Sequence, residues 1–212
     1  MARAINTIAR APGFEGAWMT VVQLRSARNE SGRHDELFEI IRNRSFRRGH
    51  FKLASGIESD LYFNMKATIM DPRGGYLVAL EVLDFAHKCG AEFVGGLALG
   101  AVPTLGAVAA ISFAEDRPLR TFFVRQEAKA HGTGERIEGL SLGESFEGKT
   151  VVVVDDVATK GGSIMQAIEA ARELGATIDT ALVIVDREKG AEDYLLSKNV
   201  KLFSLFQEHQ FV

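Results

Sequence analysis

The chain has 212 residues, a formal net charge of −3 and a hydrophobic content of 46%. A chain of this length fits one generous domain whose core requires no disulfide or metal, and its single cysteine, Cys89, predicts a reducing, cytoplasmic location. The mild acidity disfavours nucleic acid as a partner, and the lack of an apolar run of ~18 residues disfavours a membrane protein. The 21 glycines exceed the usual share of about 7%, which predicts loops whose backbone approaches a ligand closely.

The first 34 residues differ in composition from the rest of the chain. They carry five arginines against two glutamates, and their apolar pattern is irregular. Such a stretch resembles an organelle transit peptide, and it also fits a bacterial extension or a true start at Met19. The sequence therefore predicts a poorly ordered N-terminal extension at 1–34 and a single domain at 35–212.

Helices and strands alternate along the predicted domain, which indicates an α/β fold with a parallel sheet. One polar, glycine-rich stretch, 126–146, has no periodicity and is predicted to be a long mobile loop. The other predicted elements, in chain order, are a short helix beginning near Asp35, a strand–turn–strand unit at 51–66 with Gly56 in its turn, a helix from Asp71–Pro72 to Gly90, a strand at 92–100, a helix from Thr104 to Phe113, strands at 120–125 and 149–156, a helix from Ile164 to Gly175, and strands at 180–188 and 201–206.

The segment VVVVDDVATKGGS (151–163) carries the strongest chemical pattern. Its four valines predict a buried strand, and two adjacent acids follow at the carboxyl end, where α/β sheets place ligands. The glycines, hydroxyls and helix N-terminus that come next suit a phosphate. The acids would repel a phosphate but can accept hydrogen bonds from sugar hydroxyls, so the segment predicts a ribose 5-phosphate site. The alternative is a solvated acidic turn.

Four segments, in this order, resemble the type I phosphoribosyltransferases, and in particular those members that use orotate. The resemblance implies a parallel-sheet α/β fold with an N-terminal hood at about 35–66 and a mobile catalytic loop. The segments are FKLASGIESDLYFNMK (51–66) for the hood, FVRQEAKAHGTGERIEG (123–139) for the loop, VVVVDDVATKGGS for the phosphoribosyl-pyrophosphate motif, and VDRE (185–188) for the strand that contacts the base.

The resemblance implies three groups of site residues. Loop cations stabilise the departing pyrophosphate, the acid pair orients the ribose, and an arginine binds the carboxylate of orotate. Mg²⁺ is the implied cofactor, held mainly by substrate oxygens and not by a protein metal site. The residues are Arg125, Lys129, His131, Asp155 and Asp156 for catalysis and phosphoribosyl-pyrophosphate binding, with Val157, Ala158, Thr159, Lys160, Gly161, Gly162 and Ser163 for phosphate binding, and Thr159, Arg187, Tyr62 and Phe63 for orotate binding.

Simpler structural interpretations stand beside several of these assignments. The loop can be an ordinary solvated surface loop, and the two aromatic residues, Tyr62 and Phe63, can be sheet-packing side chains. Arg187 can form a salt bridge at the strand end with Asp186 or Glu188. The segment GGLALGAVPTLGA (95–107), which contacts pyrophosphate in the family, can be a tight turn between a strand and a helix.

Two positions depart from the family pattern. Gln126 stands where many members have a lysine after the loop arginine, so one cation is missing from the phosphoribosyl-pyrophosphate contacts. Ala54 stands where some members have a lysine in the hood, and Lys52 or Lys66 could replace it. Lys160 is an additional cation in the phosphate turn that could offset the loss.

The expected activity is transfer of a phosphoribosyl group from phosphoribosyl pyrophosphate to orotate, giving orotidine 5′-monophosphate and pyrophosphate. The family implies a homodimer whose loop closes over the partner subunit's site, with no nucleic acid or membrane partner. Two alternatives remain: a phosphoribosyltransferase for another base, and a non-catalytic regulator that senses phosphoribosyl pyrophosphate.

Overall fold

A computed structural model describes residues 30–52, 58–127 and 136–212. The N-terminal part consists of helix α1, strands β1 and β2, and helices α2 and α3. The remainder consists of a six-stranded sheet with its connecting helices. The bounds are α1 Glu30–Arg44, β1 Phe46–Lys52, β2 Glu58–Phe63, α2 Lys66–Ile69, α3 Pro72–Lys88, β3 Phe93–Leu97, α4 Val102–Ala114, β4 Arg120–Val124, β5 Ile137–Glu138, β6 Val151–Ala158, α5 Gly162–Glu173, β7 Thr180–Asp186, α6 Ala191–Leu196, β8 Lys201–Gln207 and a final 3₁₀ helix Glu208–Phe211.

The large sheet has the strand order β5-β4-β3-β6-β7-β8, and all its pairings are parallel except that of β5 with β4. This confirms the predicted α/β fold with a mainly parallel sheet. The strand β6 lies in the middle: its first three residues, 151–153, pair with β3, and residues 153–158 pair with β7. The small sheet is the antiparallel pair of β1 and β2.

The core has two layers, one on each face of the sheet. The valines of β6 alternate between them: Val152 and Val154 pack with α3 and α4, whereas Val151 and Val153 pack with α5. This alternation explains the unbroken apolar run in the sequence, because a central strand covered by helices has no solvated face. Helix α3 begins at its predicted cap, where Asp71 accepts hydrogen bonds from two backbone N–H groups.

The first helix begins earlier than the sequence predicts. Helix α1 starts at Glu30 instead of near Asp35, so the predicted boundary between residues 34 and 35 lies inside a helix. Arg33 explains the difference, because its buried guanidinium donates to Glu81 at 2.9 Å and to Asp84 at 2.6 Å. One of the five arginines that suggested an extension, Arg33, is therefore part of a buried ion-pair cluster. Of the predicted extension, 1–34, the first 29 residues lie outside the described residues.

Four short elements were absent from the prediction. The two-residue strand β5 lies in the stretch predicted as a mobile loop, and it pairs with Phe123 and Val124 of β4. Helix α6 follows the strand that ends at Asp186. The other two are α2 and the final 3₁₀ helix. All four are too short to produce a periodic pattern. Among residues 30–52, 58–127 and 136–212, no helix is long and apolar enough to cross a membrane.

Candidate functional site

The carboxyl ends of β4, β3, β6 and β7 lie along one edge of the sheet, because these strands are parallel neighbours. A cleft of about 510 Å³ opens at this edge. Its lining combines an acid, a small-residue turn, an arginine and two aromatic residues, as expected for a ligand site at the end of parallel strands. The lining residues are Tyr62, Phe63, Asp155, Val157, Ala158, Thr159, Lys160, Gly161, Gly162, Ser163, Ile164, Gln166 and Arg187.

The acid pair occupies the carboxyl half of β6. The Asp155 Oδ1 atom accepts a hydrogen bond from the backbone N–H of Asp156 at 2.9 Å, and the Asp156 Oδ1 atom accepts one from Val157 at 2.9 Å. Gly100, in the loop after β3, lies so close that a Cβ atom there would meet Asp155 Oδ1 at 2.8 Å. The acid pair has a cationic neighbour in Lys66, whose Nζ lies 3.9 Å from Asp156 Oδ2.

This environment raises the pKa of Asp155 to about 7. The main cause is desolvation of the carboxylate, and the second is the negative charge of Asp156. The free site is therefore short of positive charge and of hydrogen-bond donors. A ligand that supplies hydroxyl donors or a cation relieves this shortage.

The turn after β6 leads directly into helix α5. Gly161 adopts a positive φ of 78° and packs against Tyr194 and Leu195 of α6, where a Cβ atom would lie 3.2 and 3.3 Å away. Helix α5 begins at the next residue, Gly162. Its first N–H groups have no carbonyl partner within the helix, and Gly161, Gly162 and Ser163 line the cleft, which suits an anion. Lys160 is exposed on the same turn.

Arg187 follows β7 and is 5% exposed. Its Nε atom donates to Glu208 Oε2 at 2.6 Å, and its Nη2 atom donates to Ser59 Oγ at 2.8 Å. The simpler interpretation, a salt bridge with Asp186 or Glu188, is wrong: Glu188 pairs with His209 instead, and Asp186 accepts from the backbone of Glu188. The acidic partner of Arg187 is therefore Glu208, which lies 21 residues further along the chain.

The two aromatic residues of the hood differ in environment. Phe63 is 8% exposed and packs against Phe46 and Phe211, so it belongs to the core that joins the hood to the C-terminus. Tyr62 is 39% exposed and stacks on Phe51 with ring centroids 5.2 Å apart. Both line the cleft. Tyr62 is therefore the residue with free aromatic surface for a planar base.

The loop residues are only partly described. Arg125 lies just beyond β4, outside the cleft lining, where its Nε donates to Glu138 Oε1 at 2.8 Å. Gln126 is exposed. The two other predicted loop residues, Lys129 and His131, lie outside the described residues, as do Ala54 and Gly56 of the hood.

Sequence reasoning missed the partners that hold the predicted side chains. Glu138 binds Arg125, whereas Glu208 and Ser59 bind Arg187. The position of Glu208, immediately after the apolar strand β8, was a usable signal, because an acid at that place lies at the ligand edge of the sheet. Nothing in the local pattern indicated Ser59.

The carboxylate oxygens near the cleft suit a hard cation that substrate oxygens also bind. Within the described ranges, no group of three or more His, Cys, Asp or Glu side chains is arranged to hold a metal ion. The acid pair, however, offers the oxygen ligands that Mg²⁺ prefers. A cation beside it would also reduce the repulsion that raises the pKa of Asp155.

This geometry agrees with the comparisons to known proteins. A family model described as a phosphoribosyl transferase domain matches residues 90–209, which include β3 to β8 and the whole sheet edge. The chain therefore belongs to the phosphoribosyltransferase family, and the resemblance seen in its motifs is confirmed.

Curated relatives show which kind of phosphoribosyltransferase this chain is similar to. The orotate phosphoribosyltransferase of Bradyrhizobium diazoefficiens is 46% identical over 184 residues, which cover 87% of this chain and 98% of the relative. The enzyme of that name from Aquifex aeolicus is 35% identical over 82% of this chain and 94% of its own. Within its class, the chain thus falls in the orotate phosphoribosyltransferase family, whose members are pentosyltransferases.

Solved structures show the same likeness. The Mycobacterium tuberculosis orotate phosphoribosyltransferase, solved in complex with Fe(III) dicitrate, has a TM-score of 0.72 and 31% identity, covering 84% of this chain and 98% of its own. An adenine phosphoribosyltransferase from Leishmania tarentolae has a TM-score of 0.57 at 12% identity over 82% of this chain and 88% of its own, and it shows a shared fold only.

The raised pKa of Asp155 predicts a pH-dependent effect of Asp155→Asn on stability. Because the folded protein binds a proton that the unfolded chain releases near pH 4, the buried charge destabilises the fold increasingly from about pH 4 to pH 7, and fully above that. Asparagine keeps the oxygen acceptor for Asp156 N–H without the charge. Its stabilising effect should therefore grow by up to about 2–3 kcal/mol between pH 5 and pH 8.5, as measured by chemical denaturation.

The control is Asp116→Asn, at an exposed position with a φ of 54° that asparagine tolerates. Its effect on the free energy of unfolding should be the same at both pH values. An equal pH response in the two variants would contradict the desolvation of Asp155.

Proposed function

We propose that this cleft transfers the phosphoribosyl group of phosphoribosyl pyrophosphate to orotate, giving orotidine 5′-monophosphate and pyrophosphate. The observation that carries the proposal is the convergence of an acid pair, an anion-binding turn and a buried arginine on one edge of the sheet. Each group matches one part of the substrates: ribose hydroxyls, 5′-phosphate and base carboxylate.

The turn from Ala158 to Ser163 is assigned to the 5′-phosphate. Its backbone N–H groups and the start of α5 supply donors, and the helix dipole adds positive potential there. Lys160 lines the cleft and forms no ion pair within the described part of the chain, so its charge is available for the phosphate. We therefore propose that Lys160 replaces the positive charge that is missing at position 126, where Gln126 stands in place of a lysine.

The acid pair is assigned to the ribose. In the ionised form, Asp155 and Asp156 accept hydrogen bonds from the sugar hydroxyls, and their charge stabilises the positive character that develops at the sugar carbon as pyrophosphate leaves. Mg²⁺, when bound to the pyrophosphate oxygens, supplies positive charge to the leaving group. We assign Arg125, Lys129 and His131 to the same task from the protein side. For Arg125 this requires exchange of its Glu138 partner for pyrophosphate.

The base is assigned to the space between the hood and Arg187. Tyr62 offers an exposed aromatic face, and Thr159 lies on the turn beside it in the lining. Arg187 binds the carboxylate of orotate through the part of its guanidinium that Glu208 and Ser59 leave open. N1 of the base, held there, attacks the sugar carbon from the face opposite to pyrophosphate.

The direct test is consumption of orotate, followed by absorbance, with phosphoribosyl pyrophosphate and Mg²⁺. We expect turnover with orotate and none with adenine or hypoxanthine, because a purine has no carboxylate for Arg187. Tight binding of phosphoribosyl pyrophosphate without turnover would favour the non-catalytic regulator, and turnover with a purine would favour a different base specificity.

We also propose that the enzyme is a homodimer formed through helix α4. One face of this helix presents Gly106, Ala110 and Phe113 at helical spacing, and all three residues are exposed. Phe113 is 85% exposed, and Leu99, just before the helix, is 75% exposed. Small residues beside large apolar ones allow close approach of a second copy, and the same helix follows the loop that faces the acid pair.

Replacement of Phe113 by Asp should separate the subunits. A charge in the apolar contact is expected to weaken association by more than about 30-fold, as measured by analytical ultracentrifugation over a range of concentrations. The matched control is Leu142→Asp, because Leu142 is 90% exposed but lies in the segment after β5. Equal masses for the two variants would contradict an interface at α4.

Loss of the Lys129 amine should lower turnover without affecting the fold. We expect Lys129→Ala to lower kcat by about 10²–10³-fold, since a charge that stabilises the leaving group is lost, whereas Lys198→Ala, in an exposed turn after α6, leaves it unchanged. If the loop serves the partner subunit, mixing Lys129→Ala with Asp155→Asn should restore up to about a quarter of the wild-type activity, because half of the dimers carry one complete site. No recovery would show that each subunit uses its own loop.

We further propose a cytoplasmic location. Cys89 is the only cysteine of the chain, and desolvation raises the pKa of its thiol. An unreactive, unpaired thiol is typical of proteins in reducing compartments.

A further inference from the structure

The guanidinium of Arg187 is held from two directions by parts of the chain that are far apart in sequence. The Nε atom donates to Glu208 Oε2 at 2.6 Å, in the C-terminal 3₁₀ helix. The Nη2 atom donates to Ser59 Oγ at 2.8 Å and to the Leu61 carbonyl at 3.3 Å, both in strand β2 of the hood. Within the described part of the chain, the Nη1 atom makes no hydrogen bond. The end of the guanidinium that carries Nη1 therefore remains for a ligand.

The sheet register brings Glu208 to this place. Asp186 pairs with Gln207 in the last rung of β7 and β8, so the next residues, Arg187 and Glu208, leave the sheet side by side. Glu208 is 7% exposed. Its second oxygen, Oε1, lies 3.1 Å from Nζ of Lys189. Both carboxylate oxygens are thus used, one by each cation.

Glu208 supplies the carboxylate that pairs with both Arg187 and Lys189. Without Glu208, the arginine loses the acceptor on its Nε side and can rotate away from the cleft. The added positive charge then attracts any anion, irrespective of its shape.

We propose that Glu208 is a positioning residue for base recognition: it fixes the orientation in which Arg187 presents Nη1 to the carboxylate of the pyrimidine, and so sets the preference for a carboxylated base. The proposal rests on the proposed role of Arg187 in binding orotate. It assigns to the C-terminal 3₁₀ helix a function at the active site in addition to its packing through Phe211.

A structural role alone is the competing explanation, because removal of one partner of a buried ion pair destabilises a protein whatever its function. The chain offers a matched control in Arg33 and Glu81. This pair is also buried, with side-chain exposures of 6% and 14%, joins two distant segments, and has a second acidic partner in Asp84. Arg33 and Glu81 are absent from the cleft lining.

The test compares Glu208→Gln with Glu81→Gln in steady-state kinetics and thermal unfolding. We expect Glu208→Gln to raise KM for orotate by about tenfold, the scale of a charged hydrogen bond, and to leave KM for phosphoribosyl pyrophosphate within about twofold of wild type. Glu81→Gln should lower the melting temperature to a similar extent with both KM values unchanged. Unchanged or lowered KM for orotate in Glu208→Gln would overturn the proposal.

Two further variants separate this proposal from the assignment of Arg187 itself. Glu208→Asp keeps the charge on a shorter side chain, so its KM for orotate should lie between those of wild type and Glu208→Gln, and this variant replaces Glu208→Gln if the latter does not fold. Arg187→Met should raise KM for orotate more than either. If Arg187→Met leaves that KM unchanged, the base-binding assignment fails. If only the Glu208 variants leave it unchanged, the assignment stands and Glu208 is structural.

Discussion

The burial of strand β6 between β3 and β7 is the constraint on which the site depends. Its four valines alternate into the two core layers, so no polar side chain can stand in that half of the strand without losing its solvation. The polar groups are consequently concentrated at the carboxyl end. Since the neighbouring strands are parallel, their carboxyl ends bring the glycine loop after β3, Arg125 after β4 and Arg187 after β7 to the same edge.

The burial of β6 affects the ionisation of the acid pair at its carboxyl end. The same desolvation that follows from a covered strand raises the pKa of Asp155, and Asp156 adds to the effect. The ionised form of Asp155 is therefore less favourable in the free protein than in water. Under the proposed function, sugar hydroxyls and a cation would supply the interactions that this carboxylate lacks.

The sequence predicts the elements whose pattern is long or chemically distinct. The apolar run of β6, the cap at Asp71 and the acid–glycine–hydroxyl series all express local physics. The structure has the cap at the predicted residue, β6 two residues later than predicted and the start of α5 two residues earlier. Short elements such as β5 lack a period. The partners of Arg187 are set by sheet register and by the docking of the hood, which no local pattern encodes.

Long-range contacts leave no local sequence pattern, and this also explains why the sequence predicts the start of α1 too late. Arg33 belongs to a composition typical of a solvated or transit segment, yet its charge is matched by two acids that lie 48 and 51 residues further along the chain. Because arginine side chains are mostly exposed in folded proteins, composition alone predicts a surface position for Arg33. Only the fold shows that Glu81 and Asp84 face it, so the boundary of a domain can shift by several residues through one long-range ion pair.

Under the proposed function, the site would recognise its two kinds of anion by different physical means. The turn after β6 would bind the phosphate through backbone N–H groups and the exposed Lys160, which tolerate variation in the position of a multiply charged group. The base carboxylate would meet Arg187, a planar cation whose partners Glu208 and Ser59 fix its orientation in a buried place. An exposed cation attracts charge without selecting shape, whereas a buried and oriented one rejects a base that leaves it unpaired. On this proposal, the residue at position 126 alters affinity for phosphoribosyl pyrophosphate without altering the choice of base, because that choice would depend on the contacts between the hood, β7 and the C-terminus.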